Sequence, residues 1–178
     1  MKFAEYKWVA HRDSGGYHDL RHLDPFSFVH EARLQPASPG RPERSALSIR
    51  VRVGFSHHCF TLGRADPDFS MLNLYDYSAD PRSFCSVRYS LLQELPSLVR
   101  ALSRKRCYRT RHANYFPVLA RMANGSCYTV YFSVTRSHAA SSDVNLLVES
   151  AYVRATSPTI GRGAHEVSFT SILVQATA

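Results

Sequence analysis

Apolar residues recur at every second position along one segment, where Ile49, Val51, Val53 and Phe55 alternate with Ser48, Arg50, Arg52 and Gly54. That is the period of a strand with one buried face, and it puts Arg50 and Arg52 together on the exposed face. The same period runs through Cys127–Val134, with Tyr128, Val130, Phe132 and Val134 in phase. It returns in Val144–Val153, with Val144, Leu146, Val148, Ser150 and Tyr152 in phase. Tyr115–Arg121 is a further strand, and Asn124-Gly125 predicts a tight hairpin after it, because both residues tolerate positive φ. Val167–Val174 is read as the last strand, after a turn at Gly161–Gly163. Short strands or turns fit Lys2–Val9 and Tyr17–Phe28.

One segment carries a helical period instead. Leu91, Leu95, Leu98 and Leu102 predict a helix over Ser90–Leu102, with Ser90 and Gln93 spaced as a capping box. Pro96 lacks an N–H, so the helix either kinks there or begins there. The Pro-rich stretch at 35–46 and the Asp-, Pro- and Ser-rich stretch at 65–82 are read as loops. The fold class that follows is α+β, a mainly antiparallel β-sheet with one principal helix packed on it, in a single domain spanning residues 1–178.

Composition adds charge to this picture. Hydrophobic residues make up 44% of the 178, enough to build a core without disulfide staples. Lys and Arg number 22 against 14 Asp and Glu, and nearly all the cations are Arg, whose planar guanidinium grips phosphate with two hydrogen bonds and stacks on bases. RNA or another polyanion is the expected partner, while a merely solvated basic surface remains the plainer account. Cys59, Cys85, Cys107 and Cys127 lack metal-ligand or disulfide-framework spacing and are expected to be buried thiols. No run approaches the roughly 18 apolar residues of a membrane span, and the first residues lack a signal-like apolar stretch. The expected location is the cytoplasm, with no membrane role.

Three places carry candidate chemistry. The run Arg104, Lys105, Arg106, Cys107, Tyr108, Arg109, Thr110, Arg111, His112 sets a tyrosine among cations, as phosphate gripping and base stacking require. It also fits a charged helix end leading into a charge-protected edge strand. His57 and His58 follow the arginine-bearing strand and can titrate near neutrality, although structural histidines are commoner. Adjacent strand residues face opposite ways, so the two do not chelate one metal. Ser150, Tyr152 and Arg154 line one side of a strand end and could orient a phosphodiester; a tyrosine capping the core rim is the alternative. No cofactor or metal motif is present in the sequence.

The strings FSHHCFT, RYSLLQELPSLV, NYFPV, YTVYFSV and VESAYV resemble a group of uncharacterised bacterial proteins carried on prophages and other mobile elements, over about residues 50–154. More distantly, a His after an early strand, then a helix and a terminal antiparallel meander bearing Ser, Thr, Tyr and Arg, is similar to metal-independent RNases of the barnase, EndoU, colicin and RelE type. That resemblance implies a ribonuclease-like toxin or defence effector, with an antitoxin or host protein as a further partner. It implies His57 or His58 as base or acid, Arg109 and Arg154 holding the phosphate, and Thr110, Ser150 and Tyr152 orienting it. Arg50, Arg52, Arg104, Lys105, Arg106, Tyr108, Arg111 and His112 would bind the nucleic acid. His112 and Glu149 are the candidates for a second acid, Glu149 being expected to face away from Ser150. A non-catalytic modulator that binds nucleic acid or a host protein is the competing reading.

Overall fold

The alternating segments become the middle of a seven-stranded sheet. The computed structural model describes residues 8–32, 47–76, 80–110, 114–117, 126–154 and 165–178. Along the chain the elements are β1 (His11–Asp13), β2 (Gly16–His18), β3 (Phe26–Ala32), β4 (Leu47–Phe55), β5 (Thr61–Leu62), β6 (Leu74–Asp76), β7 (Arg82–Phe84), α1 (Ser86–Leu92), α2 (Leu95–Arg100), β8 (Arg106–Arg109), β9 (Tyr115–Pro117), β10 (Cys127–Arg136), β11 (Val144–Arg154), β12 (Glu166–Ser168) and α3 (Phe169–Thr177). The large sheet has the order β12-β8-β9-β10-β11-β4-β3. Its pairs are antiparallel except β11 with β4, which run parallel. A small sheet β5-β7-β6 and the hairpin β1-β2 complete the described strands. This is α+β, mostly antiparallel, as the pattern predicts.

One face of the large sheet carries the core. Ile49, Val51 and Val53 of β4, Val130 and Phe132 of β10, and Val144, Leu146 and Val148 of β11 are almost fully buried. They form one cluster with Leu92, Leu95, Val99 and Leu102 and with Phe169, Ile172 and Leu173 of α3. Each such side chain contributes about 1.5–3 kcal/mol by leaving water. The helices therefore all bury their apolar sides on this face, and the alternate residues of the strands make up the outer face.

The predicted single helix is two short helices and a 3-10 turn, Ala101–Arg104. α1 starts earlier than expected because Cys85 caps it, its Sγ accepting the Arg88 N–H at 3.5 Å. Ser90 lies inside α1 and its hydroxyl donates to Val87 O at 2.8 Å, so no capping box forms. Pro96 falls in the first turn of α2, where its missing N–H leaves no bond unmade. The buried stripe is Leu92, Leu95, Val99 and Leu102, with Leu91 and Leu98 half-buried beside it.

The predicted last strand ends at Ser168, and the chain turns into α3. Ser168 caps this helix, its Oγ accepting the Ser171 N–H at 3.0 Å. Phe169, Ile172 and Leu173 have helical spacing, and Phe169 packs edge-on against Phe132 and His30. The two-residue period of Val167, Phe169, Ser171 and Leu173 masked it. The second predicted loop, 65–82, holds the 3-10 turn Met71–Asn73 and β6 and leads into β7, the middle strand of the small sheet. The readings at 2–7, 35–46, 118–121, Asn124-Gly125 and Gly161–Gly163 lie outside the described residues.

Simple alternation fails in β11. Tyr131 pairs with Ser150 and Phe132 with Val148, leaving Glu149 as the extra residue of a β-bulge. Val144, Leu146 and Val148 face the core as predicted. Beyond the bulge, Ala151 opposite Val130 takes the core side, and Ser150 and Tyr152 move to the outer face.

Candidate functional site

Strand register decides which candidates share a surface. Arg109 pairs with Tyr115, Tyr115 with Phe132, and Phe132 with Val148. The Tyr115 and Phe132 rings lie 5.7 Å apart, so that row belongs to the core face. The next row, Tyr108, Tyr131 and Ser150, therefore lies on the outer face, and so, two residues further along their own strands, do Arg106, Thr129 and Tyr152. With strands about 4.8 Å apart, Tyr108 and Ser150 stand about 14 Å apart across three spacings.

The tyrosines on this face are held in place. The rings of Tyr131 and Tyr152 stack at 5.8 Å with 22° between their planes. Arg154 Nη1 donates to the Tyr131 hydroxyl at 3.0 Å, a bond that raises the guanidinium pKa. Burial, then the neighbouring Tyr131, raises the pKa of Tyr152. At the far end Arg106 Nη1 and the Tyr108 hydroxyl both reach Glu166 Oε2, at 3.3 and 3.4 Å.

β4 ends at Phe55, opposite Val148, so the rest of β11 has no described strand on that side. The 3-10 turn His57–Cys59 packs there, with Ser56 N–H donating to Val148 O at 2.8 Å. The Cys59 thiol lies 3.7 Å from the same carbonyl, and burial pushes its pKa up to about 12. Arg88 enters from α1. Its Nη1 donates to His58 O at 3.0 Å and Thr61 O at 2.7 Å, and its guanidinium sits 5.3 Å from the Tyr152 ring centre. Asp66 lies 3.7 Å from Arg88 Nη2. Arg82 Nε donates to Thr61 Oγ1 at 2.8 Å. Neither Arg82 nor Arg88 stands in a charge run, and no local pattern marks them.

His58 is the imidazole most altered by this setting. Lost hydration, then the guanidinium of Arg82 and the ring of His57, lower its pKa to about 4, with Arg88 adding a smaller push. The residue is nevertheless exposed, so at neutral pH it offers solvent an uncharged imidazole. The His57 and His58 ring centres are 4.6 Å apart, and Cys59 is buried toward β11. No group of three or more His, Cys, Asp or Glu suited to a metal ion occurs among the described residues.

The structure thus packs the turn that bears His57 and His58 against β11, the strand that bears Ser150, Tyr152 and Arg154, and leaves other expected partners elsewhere. Arg109 falls in a core-face row, exposed at the end of its short strand. Thr110 bonds Asn114 Oδ1, and Asn114 Nδ2 donates to Glu149 Oε2 at 2.6 Å, so Thr110 holds this network. The bulge turns Glu149 to the outer face beside Ser150, contrary to the regular-strand expectation. Arg50 is clamped: its Nη2 reaches Asp143 Oδ1 at 2.8 Å and its Nη1 reaches Ala140 O at 2.7 Å. Arg52 pairs with Asn145, nine residues before Arg154, which separates the two by about 30 Å along β11. Arg104 is exposed and Lys105 half-buried where the chain enters β8; Arg111 and His112 lie outside the described residues.

Acid should loosen this fold. His58, His11, His22 and His30 all have pKa values lowered chiefly by burial, so the unfolded chain binds more protons than the folded one below pH 6.5. The histidine contribution is whole above 6.5 and is lost as pH falls toward about 4, the value of His58. Denaturant midpoints should be equal at pH 8 and 7.5 and fall steadily from 6.5 to 4.5.

The YjaZ family model matches residues 9–177. The chain belongs to the YjaZ family. That match takes in the outer-face tyrosines, the 3-10 turn at His57 and α1 together, so the whole site lies within the region that defines YjaZ family membership. No curated protein and no solved structure gives a match. No helix among the described residues is long and apolar enough to cross a membrane.

Proposed function

We propose that the chain binds single-stranded RNA across the outer face of its large sheet. What carries the reading is the row arrangement: Tyr108, Tyr131 and Tyr152 sit on one face, with Arg106 at one end and Arg154 and Arg88 at the other. Unstacked bases pair their flat faces with aromatic rings laid on a sheet, and guanidiniums hold the phosphates between them. A span of about 14 Å accommodates two or three nucleotides. Basic composition strengthens encounter with such a partner but carries no sequence preference.

Cleavage is the second reading, favoured by the uncharged, exposed imidazole of His58 beside the guanidinium-rich end of β11. There His58 Nε2 or Nδ1 would take the ribose 2′-hydroxyl proton, the oxygen would attack the adjacent phosphorus, Arg88 or Arg154 would meet the charge of the phosphorane, and the P–O5′ bond would then break, the 5′-oxygen leaving as a hydroxyl with a proton from water. The test is a labelled RNA incubated with the chain in chelator. Binding whose affinity falls with salt, with RNA intact, supports the first reading alone. Products ending in 2′,3′-cyclic phosphate that vanish in His58→Ala, with binding retained, support the second as well. Affinity that does not change with salt removes both.

A further inference from the structure

The hairpin β1-β2 is attached to the rest of the fold in an unusual way. It has three residues per strand, and a two-stranded hairpin of that size does not hold itself in water. Gly16, which opens β2 after the turn, has φ +128°, and Val9 and Tyr17 stand in solvent, 77% and 61% exposed. Three rings dock it. Trp8 meets Phe60 edge-on at 5.3 Å, His57 at 6.4 Å and Tyr75 at 6.5 Å. His11 stacks on Phe84 at 4.5 Å and approaches Tyr75 at 5.8 Å. His18 lies 4.6 Å from Phe84 and 4.9 Å from Tyr89. Beyond Asp19 the chain is anchored differently, by Leu20 and Leu23, both fully buried in the main core.

We propose that residues 8–18 form an acid-released strap, docked on β7, β6 and the turn at His57 while His11 is neutral, and hinged at Asp19–Leu20. The observation that carries this is His11 itself. It is buried, and its Nε2 has no hydrogen-bond partner among the described residues. An imidazolium there requires an acceptor at Nε2 and hydration that the interface withholds. Asp13, the nearest carboxylate on the hairpin, is already bonded to His18 Nε2 at 3.0 Å and to Gly15 N–H at 2.8 Å. Among the described side chains, the neighbours of His11 are rings: β7 presents Phe84, β6 presents Tyr75, and β2 presents His18. α1 presents Tyr89, whose hydroxyl donates to Asp19 O at 3.1 Å, and the turn at His57 presents His57 to Trp8. His22 faces Tyr89 from the anchored side at 6.1 Å. Burial lowers the His11 pKa below 6.5, so the docked state holds fewer protons than the released one and acid favours release. Release uncovers Phe60 and one side of His57 without disturbing Leu20 or Leu23.

Trp8 is the single tryptophan of the chain, so its fluorescence reads the strap directly. Between pH 7 and 5 its emission should shift to the red and become open to acrylamide, while far-UV circular dichroism stays constant. Protection factors in residues 8–18, taken relative to the intrinsic amide rate at each pH, should fall by up to about tenfold per pH unit for one linked proton, and by more than those of β10 and β11. His11→Phe keeps the ring and removes the proton, and should hold the emission blue across the range. Loss of circular dichroism together with the tryptophan shift would overturn the proposal, and so would an unchanged transition in His11→Phe. Should that variant not fold, segmental exchange in the native chain decides alone: a fall in protection of equal size in residues 8–18, β10 and β11 refutes the strap. RNA binding enters none of these readings, so the strap stands or falls apart from it.

Discussion

Phe132→Ala should lower the stability of the fold by about 3–5 kcal/mol, seen as a large fall in denaturant midpoint at unchanged m-value. Phe132 is fully buried in β10, with two strand neighbours, and its ring lies between Tyr115 at 5.7 Å and Phe169 at 6.2 Å. Both neighbours are held by their own strand or helix, so the space left behind cannot close easily, and its lining loses dispersion contacts. Tyr131→Ala, one residue earlier on the outer face, removes a ring of similar size and should cost far less. Equal losses would mean that the two faces are not divided as the register places them.

Tyr152→Ala should weaken the binding of single-stranded RNA roughly 5- to 150-fold, the equivalent of about 1–3 kcal/mol for one stacked base. The ring is half-buried between Tyr131, 5.8 Å away, and Arg88, 5.3 Å from its centre. It is therefore presented in one orientation and loses little freedom when a base covers it. Tyr152→Phe should retain most of the affinity, because stacking needs the ring and not the hydroxyl. If the two substitutions weaken binding equally, the hydroxyl is the contact and bases do not stack there.

The strands most readable in the sequence were those whose side chains meet core on one side and solvent on the other, as at Ile49 to Phe55. Alternation could not reveal the bulge at Glu149, since an extra residue changes the phase without changing residue type. That one residue decides where Ser150 and Tyr152 point. The last helix was hidden because Phe169 and Leu173 satisfy both periods, and packing against Phe132 and His30 selects between them. Of the site, the histidines and the Ser150–Arg154 end were legible. Arg88 was not, because its place beside Tyr152 depends on how α1 meets β11, a contact between residues far apart in the chain. Arg109 misled for the opposite reason: a charge run is conspicuous in sequence, yet in a strand its members divide between two faces.

That division gives the most direct test of the outer face as the RNA surface. By alternation along β8 Arg106 falls on the face of Tyr108 and Tyr152, and Arg109 lies in the core-face row of Tyr115, three residues along the same strand. Titration of labelled single-stranded RNA by anisotropy, at two salt concentrations, should show Arg106→Ala weakening binding and reducing the salt slope by about one. Arg109→Ala should leave both close to the native values. Equal losses from the two substitutions, or a native chain that does not bind RNA at low salt, would contradict the account.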